Sequence, residues 1–270
     1  MIQILFLVTA FFLLAKGADL FVDGASGIAK YFKVSPLFIG LTVAAIGTSA
    51  PEASVSIQAT LINSGGIALG NIIGSNIANI CLAIGISALI KPMFFEDSTI
   101  KKEIPFLVFI TILLLIFGLH FSTQNNPLEF LRIEGIILLI LFIGFLFYLS
   151  KMAVEDRKNS SHQNEESEIL ISKAILLTLI GGVGIVIGGK LAVTNSIKLA
   201  ETFGVSQRVI GISVIAFGTS IPEIVTAIVA VRKNKFSIAI GNIVGSNIFN
   251  ILFVLGLAST INPFTAKSAV

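Results

Sequence analysis

One block of this sequence occurs twice, and this repeat restricts the possible fold more than any other feature. When the chain is shifted by 171 residues, 26 of the 57 positions between Pro36 and Pro92 are identical to their partners. The motif GTSAPE at 47–52 falls on GTSIPE at 218–223, and GNIIGSNIAN at 70–79 falls on GNIVGSNIFN at 241–250. A repeat of this length indicates an architecture in which one structural unit is used twice.

The repeated block lies in a chain that is too apolar for a soluble domain. Hydrophobic residues make up 55% of the 270 residues and charged residues only 12%, whereas about a quarter of a soluble domain is charged. This composition excludes a nucleic-acid-binding protein, a secreted disulfide scaffold and a disordered chain. Eight segments of 16 to 27 residues are long enough for membrane helices, namely 2–22, 36–62, 66–90, 104–119, 133–149, 173–199, 209–231 and 237–261. We therefore predict an all-α polytopic membrane protein of eight transmembrane helices.

The two copies of the repeat are expected to cross the membrane in opposite directions. Five predicted spans separate each segment of the first copy from its partner, and five is an odd number. Inverted repeats with helices interrupted at matching positions are typical of secondary transporters, in which the substrate site lies near the bilayer midplane. We predict a first repeat of five helices at 1–150, a linker at 151–172 and a second repeat of three helices at 173–270.

The basic residues predict the orientation of the chain in the membrane. Twelve lysine and arginine residues lie in the loops after spans one, three, five and seven, and four lie in the opposite loops and the termini. Because lysine and arginine accumulate in cytoplasmic loops, we predict a multi-pass protein of the cell membrane. Its 151–172 loop should be cytoplasmic and both termini should be outside.

Two acidic residues, Glu52 and Glu223, lie well inside apolar spans. A charge at this depth costs several kcal/mol unless something compensates it, and the cost is met here at two equivalent positions of an inverted repeat. An approximate two-fold axis would bring the two carboxylates together. Because like charges repel, either one carboxylate is protonated or a cation lies between them.

The neighbouring residues supply the oxygen atoms that calcium and sodium prefer. Hydroxyl and amide side chains surround both acids, and prolines 51 and 222 should free backbone carbonyls about one turn earlier. Calcium takes about 6 to 8 such oxygen ligands, whereas zinc and copper would prefer cysteine or histidine. The predicted metal ligands are Glu52, Glu223, Thr48, Ser49, Thr219, Ser220, Asn79, Asn250, Ser75, Ser246 and the carbonyls of Ala45 and Ala216. Calcium and sodium are expected as transported ions, and no resident cofactor is expected.

Each motif also has a purely structural interpretation. Ser49 and Glu52, like Ser220 and Glu223, have the spacing of a capping box that closes the start of a helix. The Gly-x-x-x-Gly pairs at 70–74 and 241–245 match a helix-packing motif. The Ser-Asn-x-x-Asn that follows each pair is too polar for packing alone, which favours a combined role in packing and ligand binding.

The doubled motifs resemble the α-repeats of the cation/calcium exchanger superfamily, most closely its prokaryotic sodium/calcium antiporter branch. The resemblance covers nearly the whole chain. It implies ten helices in two inverted sets of five, with alternating access around four central ion sites. It also implies that Glu52 and Glu223 are the principal calcium ligands. Relative to this pattern the ninth and tenth helices are missing. Either the gene product is truncated, or a partner chain or a dimer supplies the missing pair.

The expected function is therefore a secondary antiporter that exchanges calcium for sodium, with these ions and the lipid bilayer as partners and no nucleic acid. Many exchangers have Asp where this sequence has Asn250, which leaves the coupling ion open. A proton/calcium exchanger remains an alternative, as does a non-transporting membrane subunit. The sequence lacks the motifs of an intramembrane enzyme, so we expect no enzymatic activity.

Overall fold

A computed structural model describes residues 2–120, 128–159, 170–203 and 216–266 of the chain. Helices form almost all of this part. The α-helices are α1 (Ile2–Phe32), α2 (Pro36–Ile39), α3 (Ala45–Thr48), α4 (Ala50–Leu61), α5 (Gly65–Ala78), α6 (Gly85–Ile90), α7 (Ile104–His120), α8 (Arg132–Asn159), α9 (Ile171–Thr202), α10 (Ala216–Thr219), α11 (Ile221–Arg232), α12 (Phe236–Phe249) and α13 (Gly256–Ile261). Wider π-helical turns occupy Gly40–Ala44, Asn79–Ile84, Thr99–Glu103 and Asn250–Leu255.

The prediction of an all-helical polytopic membrane protein is confirmed, but the number of continuous spans is smaller than predicted. Within the described residues, five helices are long and apolar enough to cross a membrane, and one bent pair, Pro36–Thr48 with Ala50–Leu61, is a sixth candidate. The sequence predicted eight. Helix α7 has only 17 residues, slightly fewer than the roughly 20 that a span needs. Part of the predicted seventh span, 209–215, lies outside the described residues.

Two short strands modify the all-α prediction. β1 (Leu128–Phe130) pairs antiparallel with β2 (Phe264–Ala266). The first strand immediately precedes α8 and the second follows α13, and these two helices pack together through Gly135, where a Cβ atom would lie 2.7 Å from the Gly256 carbonyl oxygen. Two extended segments therefore lie side by side at one end of the molecule, and pairing satisfies their backbone groups.

Helix α8 continues well into the segment that was predicted to be a linker. It ends at Asn159 rather than near Leu149, so the first nine residues of the predicted linker, 151–159, are helical. The polar end of the helix is tied to the end of α1 and to the turn that follows it. The Ser35 amide donates to Asp156 Oδ2 at 2.8 Å, and Arg157 Nε donates to the Phe32 carbonyl at 3.1 Å. Residues 160–169 lie outside the described part of the chain.

The two longest helices, α1 and α9, pack along each other through glycines. A Cβ atom on Gly17 would lie 2.9 Å from the Gly181 carbonyl oxygen, and one on Gly181 would lie 2.5 Å from the Phe21 amide nitrogen. Such separations are possible only without side chains at these positions, as in other closely packed membrane helices. By contrast, the span Phe236–Ile261 lies at the centre of the bundle. In its most apolar stretch 94% is buried, whereas only 28% of the most apolar stretch of Gln3–Phe32 is buried.

The loops separate into two groups at opposite ends of the bundle. Loops that follow odd-numbered spans lie at one end, and loops that follow even-numbered spans lie at the other. At one end, which we call the odd-loop end, the loop after α6 contacts the loop after α11, because Lys91 Nζ donates to Asn234 Oδ1 at 2.5 Å. At the other, the even-loop end, Asn262 after α13 donates to Asn63 Oδ1 after α4 at 2.9 Å. The strands β1 and β2 also lie at the even-loop end.

Candidate functional site

The site begins where two helices are interrupted. Between α3 and α4 the chain bends by 48° at Ser49. In the second repeat, Ser220 separates α10 from α11 in the same way. A proline stands in the first turn of each new helix, where its missing amide costs nothing. Glu52 and Glu223 lie in the same turns, and both are completely buried.

Each serine at an interruption contacts the acidic residue of the other repeat. Ser49 Oγ donates to Glu223 Oε1 at 2.8 Å, and Ser220 Oγ lies 3.4 Å from Glu52 Oε1. Neither serine makes a side-chain capping bond to its own helix. The capping-box interpretation is therefore wrong in its hydrogen bonding, although the spacing suited it. The arrangement links the two carboxylates across the centre of the molecule.

The threonines that precede these serines form a second pair of reciprocal contacts. Thr48 Oγ1 donates to Asn242 Oδ1 at 3.0 Å, and Thr219 Oγ1 donates to Asn71 Oδ1 at 3.1 Å. These asparagines lie on α12 and α5, the helices that carry the repeated GNxxGSN motif. The serine of each GNxxGSN motif is close to the same threonine. The hydroxyl oxygens of Thr48 and Ser246 are 3.5 Å apart, and those of Thr219 and Ser75 are 3.2 Å apart. Four helix segments therefore meet at one polar centre.

Glycines bring α12 close enough to the second span for these contacts. A Cβ atom on Gly245 would lie 2.8 Å from the Ala45 Cβ atom, and one on Gly241 would lie 2.8 Å from the Leu37 carbonyl oxygen. Next to this contact, Ser246 Oγ lies 3.5 Å from the Ala45 carbonyl oxygen. The prediction that the second Gly-x-x-x-Gly motif combines packing with a polar role therefore agrees with these contacts.

Several oxygen atoms of the two acids and of the helical segments that carry the repeated motifs are buried and have no hydrogen-bond partner among the described residues. They belong to both acids and to three of the asparagines: Glu52 Oε2, Glu223 Oε2, Asn79 Oδ1, Asn247 Oδ1 and Asn250 Oδ1. A buried acceptor without a donor is destabilising by about 1–3 kcal/mol, and by more when it is charged. Neither carboxylate is paired with lysine or arginine in the described part of the chain. Together these oxygens suit a hard cation.

The predicted carbonyl ligands differ in one respect from the expectation. The Ala45 carbonyl is not freed by Pro51, because it accepts the Ser49 amide at 3.0 Å. It also lies 3.5 Å from the hydroxyls of Thr48 and Ser246, so it is part of the polar centre. Its counterpart Ala216 begins α10, immediately after residues that lie outside the described part of the chain.

Some residues of the centre were not among the predicted ligands. Asn71 and Asn242 hold the threonine hydroxyls, and Asn71 Nδ2 also donates to the Glu52 carbonyl at 3.2 Å. Asn76 Oδ1 accepts from Asn250 Nδ2 at 3.1 Å. Asn71, Asn76 and Asn242 all belong to the doubled GNxxGSN motif, and this repetition is the sequence feature that could have identified them. The described residues contain no cluster of three or more His, Cys, Asp or Glu side chains, so neutral oxygens must complete any ion site.

The fold and this centre define a polytopic membrane ion antiporter built from inverted repeats. The family model for the sodium/calcium exchanger protein matches residues 2–151 and 173–270. The chain belongs to the sodium/calcium exchanger family, which confirms the resemblance found in its motifs and makes it a transporter rather than an enzyme.

Several relatives match over almost the whole chain. It is 37% identical to the putative antiporter CaxA of Alkalimonas amylolytica over 100% of this chain and 84% of that protein. It is 33% identical to the inner membrane protein YrbG of Escherichia coli (95% and 79% covered) and 34% identical to the sodium/calcium exchanger MaX1 of Methanosarcina acetivorans (98% and 84% covered).

A solved structure shows the same fold. The sodium-calcium exchanger NCX_Mj, soaked with sodium and strontium, superposes on this chain with a TM-score of 0.83 at 33% identity, covering 98% of this chain and 84% of that one. The comparison supports the arrangement of the inverted repeats around one centre.

Proposed function

We propose that the protein exchanges calcium for sodium across the membrane by alternating access, with Glu52 and Glu223 as the principal calcium ligands. The observation that carries this proposal is the reciprocal pairing at the centre. Each carboxylate is completely buried, contacts a serine of the other repeat through one oxygen, and has no partner for the other oxygen among the described residues. Two carboxylates without basic partners are stabilised by protonation or by a nearby cation, and one divalent cation would neutralise both of them.

The composition of the centre favours calcium over other divalent ions. Carboxylate, hydroxyl, amide and carbonyl oxygens are the ligands of calcium, which accepts about 6 to 8 of them in flexible geometry. Magnesium demands a regular octahedron and gives up water reluctantly. The oxygens proposed to complete the calcium and sodium sites belong to Thr48, Ser49, Thr219, Ser220, Ser75, Ser246, Asn79, Asn250, Ala45 and Ala216.

Sodium accepts the same neutral oxygens, and the names of MaX1 and NCX_Mj as sodium/calcium exchangers support it as the coupling ion. If at least three sodium ions replace one calcium ion, each cycle moves net charge. It can then use the membrane potential, which contributes about 2.3 kcal/mol per charge per 100 mV.

Flux measurements in vesicles test the proposal. We expect the purified protein to take up calcium when an outward sodium gradient is imposed at fixed pH. Glu52→Gln and Glu223→Gln should each abolish this uptake, because each keeps the shape of the side chain and removes a negative charge that faces a divalent ion. Asp97→Asn is the matched control, since it removes a carboxylate that is 88% exposed and paired only with Lys101 in the described residues.

The outcomes separate the alternatives. Uptake driven by a pH gradient but not by a sodium gradient would make the protein a proton/calcium exchanger. Near wild-type uptake in either glutamate variant would contradict the two-carboxylate site. No uptake by the wild-type protein with either gradient would favour a non-transporting membrane subunit.

We also propose that the chain crosses the membrane eight times, with the first repeat in 1–150 and the second in 173–270. The odd-loop end would face the cytoplasm, together with the 151–172 loop, and both termini would lie outside. The distribution of lysine and arginine supports this orientation. The name of YrbG as an inner membrane protein supports a bacterial-type cell membrane as the location.

Single cysteines at the two ends test the orientation. In a background with Cys81→Ala, we expect Ile62→Cys at the even-loop end to react with a membrane-impermeant thiol reagent in intact cells. Asp97→Cys at the odd-loop end should react only after the cells are opened. Both positions are strongly exposed, at 71% and 88%, so access rather than burial decides the result. The reverse labelling pattern would invert the proposed topology.

A further inference from the structure

A second polar cluster lies away from the ion site, in a cleft between α7 and α8. The cleft has a volume of about 340 Å³, within the range of small-molecule sites. Its walls are mainly apolar, and three polar residues lie at one end. The apolar side chains are Phe106, Leu141 and Phe145, and the polar ones are Lys102, Glu103 and Tyr148. We call this the α7–α8 cleft.

Glu103 is the unusual residue in the cleft. It is only 1% exposed, and it accepts a hydrogen bond from the Tyr148 hydroxyl through Oε1. Its other oxygen, Oε2, is buried and has no partner in the described residues. A buried carboxylate oxygen without a donor is costly, and nothing in the ion-binding motifs accounts for it. Because Glu103 also lines the cleft, a small rotation of its carboxylate would present a strong acceptor to a ligand that donates hydrogen bonds.

The next residue supplies the opposite charge. Lys102 lines the same cleft and is exposed. A ligand at this end of the cleft would therefore meet one anionic acceptor and one cationic donor side by side. A group that carries both a cation with N–H donors and an anion would match both of them.

The position of the cleft indicates where such a ligand comes from. Lys102 and Glu103 lie in the π-helical turn immediately before α7, at the odd-loop end, and the apolar walls continue from there along α7 and α8. Neighbouring side chains on the outer faces of these helices, such as Phe109 and Phe147, are 53% and 62% exposed. Exposed apolar surface on a membrane helix faces lipid, so the cleft opens where a headgroup and its acyl chains would lie.

We propose that the α7–α8 cleft binds a phospholipid whose headgroup carries a primary ammonium next to its phosphate, as in phosphatidylethanolamine. The ammonium donates to the Glu103 carboxylate, whose buried Oε2 turns toward the cleft when the lipid binds, and Lys102 contacts the phosphate. The upper part of an acyl chain lies against Phe106, Leu141 and Phe145. A choline headgroup has the same charge but no N–H to donate. A glycerol headgroup has no cation to face the carboxylate. Phosphatidylcholine and phosphatidylglycerol should therefore bind less well than phosphatidylethanolamine.

Lipid retention by the wild-type protein tests this proposal independently of transport. The protein is placed in nanodiscs that contain equal amounts of phosphatidylethanolamine, phosphatidylcholine and phosphatidylglycerol, and retained lipids are counted by native mass spectrometry. We expect preferential retention of phosphatidylethanolamine. In a series of singly, doubly and triply N-methylated headgroups, retention should fall as N–H donors are removed. Equal retention across the series, or preference for phosphatidylglycerol, would overturn the proposal.

Variants place the lipid in this cleft. Glu103→Gln keeps the shape of the side chain but loses its charge, and should weaken phosphatidylethanolamine retention about tenfold, as expected for a hydrogen bond to a charged group. The control Asp97→Asn removes a carboxylate from the same end of the molecule and should leave retention unchanged. Melting temperatures of both variants verify that they are folded. Unchanged selectivity in folded Glu103→Gln would show that the lipid binds elsewhere.

Discussion

The two repeats are nearly equivalent at the proposed ion site and different at the ends of the molecule. At the centre, the contact of Thr48 with Asn242 and its counterpart of Thr219 with Asn71 measure 3.0 and 3.1 Å. At the odd-loop end, Lys233 contacts two carboxylates of α1, those of Asp19 and Asp23, each at 2.7 Å.

The residues equivalent to these three under the 171-residue shift are of quite different types. The shift places Ile62, Lys190 and Thr194 at the positions equivalent to Lys233, Asp19 and Asp23. An ion that enters from either side meets the same central atoms, so the function of an antiporter maintains equivalence there. A residue and its copy at the ends face opposite sides of the membrane, so nothing requires them to be alike.

The largest difference expected between the two repeats concerns a small departure from symmetry within the site. Ser49 Oγ is 2.8 Å from Glu223 Oε1, whereas Ser220 Oγ is 3.4 Å from Glu52 Oε1. A well-formed hydrogen bond to a charged group contributes about 1.5–3 kcal/mol, and a long one much less. In sodium-driven vesicle uptake, Ser49→Ala should raise the half-saturating calcium concentration about tenfold, clearly more than Ser220→Ala. Equal effects would mean that the two carboxylates are equivalent in the working protein.

A smaller and symmetric effect is expected for the threonines. Thr48→Val and Thr219→Val keep the side-chain shape but remove a hydroxyl that contacts an asparagine. Each loses its single hydroxyl donor, and the neutral hydrogen bond to the asparagine contributes about 1 kcal/mol, so the half-saturating calcium concentration should rise about fivefold in both variants. The same uptake measurement checks this. Effects that differ by more than about threefold would show that the central equivalence is only geometric, since a factor of three corresponds to about 0.7 kcal/mol.

The sequence predicted this symmetric centre better than its surroundings. A repeat whose motifs keep the same spacing, separated by an odd number of spans, brings Glu52 and Glu223 together whatever the details of packing. The direction of the Ser49 hydroxyl was not predictable, because the same spacing suits a capping bond and a contact across the molecule. Only the assembled helices show that it reaches Glu223.

Outside the repeat, the local sequence was less informative. The polar residues from 151 onward were interpreted as a loop, yet α8 continues to Asn159. Lysine, glutamate, alanine and methionine favour helix even when they are exposed, and Asp156 is held by the Ser35 amide. The paired strands β1 and β2 have three residues each, too few to give an alternating pattern. Such features depend on contacts between distant segments, which hydropathy does not encode.

The smallest expected effect concerns the asymmetric end. The Lys233 side chain is 25% exposed, and its two carboxylate partners are 41% and 47% exposed, so solvent screens both ion pairs. Lys233 Nζ also donates to the Asp19 backbone carbonyl at 2.9 Å. Lys233→Met should therefore lower the free energy of unfolding by about 1 kcal/mol or less. Lys190→Met, at the exposed counterpart of Asp19, should change it by less than the measurement error.

The pH dependence of this effect distinguishes an ion pair from simple packing. Partial burial lowers the pKa of the Lys233 ammonium, but its hydrogen bonds to Asp19 and Asp23 outweigh that effect and raise the pKa above the ordinary 10.5. A raised pKa means that the folded state holds the proton more tightly than the unfolded state. The stabilisation is then fully present below about pH 10.5 and is lost as the pH rises through the folded-state pKa. The difference in melting temperature between wild type and Lys233→Met should be constant from pH 7 to 9, shrink above pH 10.5, and decrease in high salt. A difference that is independent of both pH and salt would assign the effect to the packing of the lysine stem, and the two ends would then differ in shape rather than in charge.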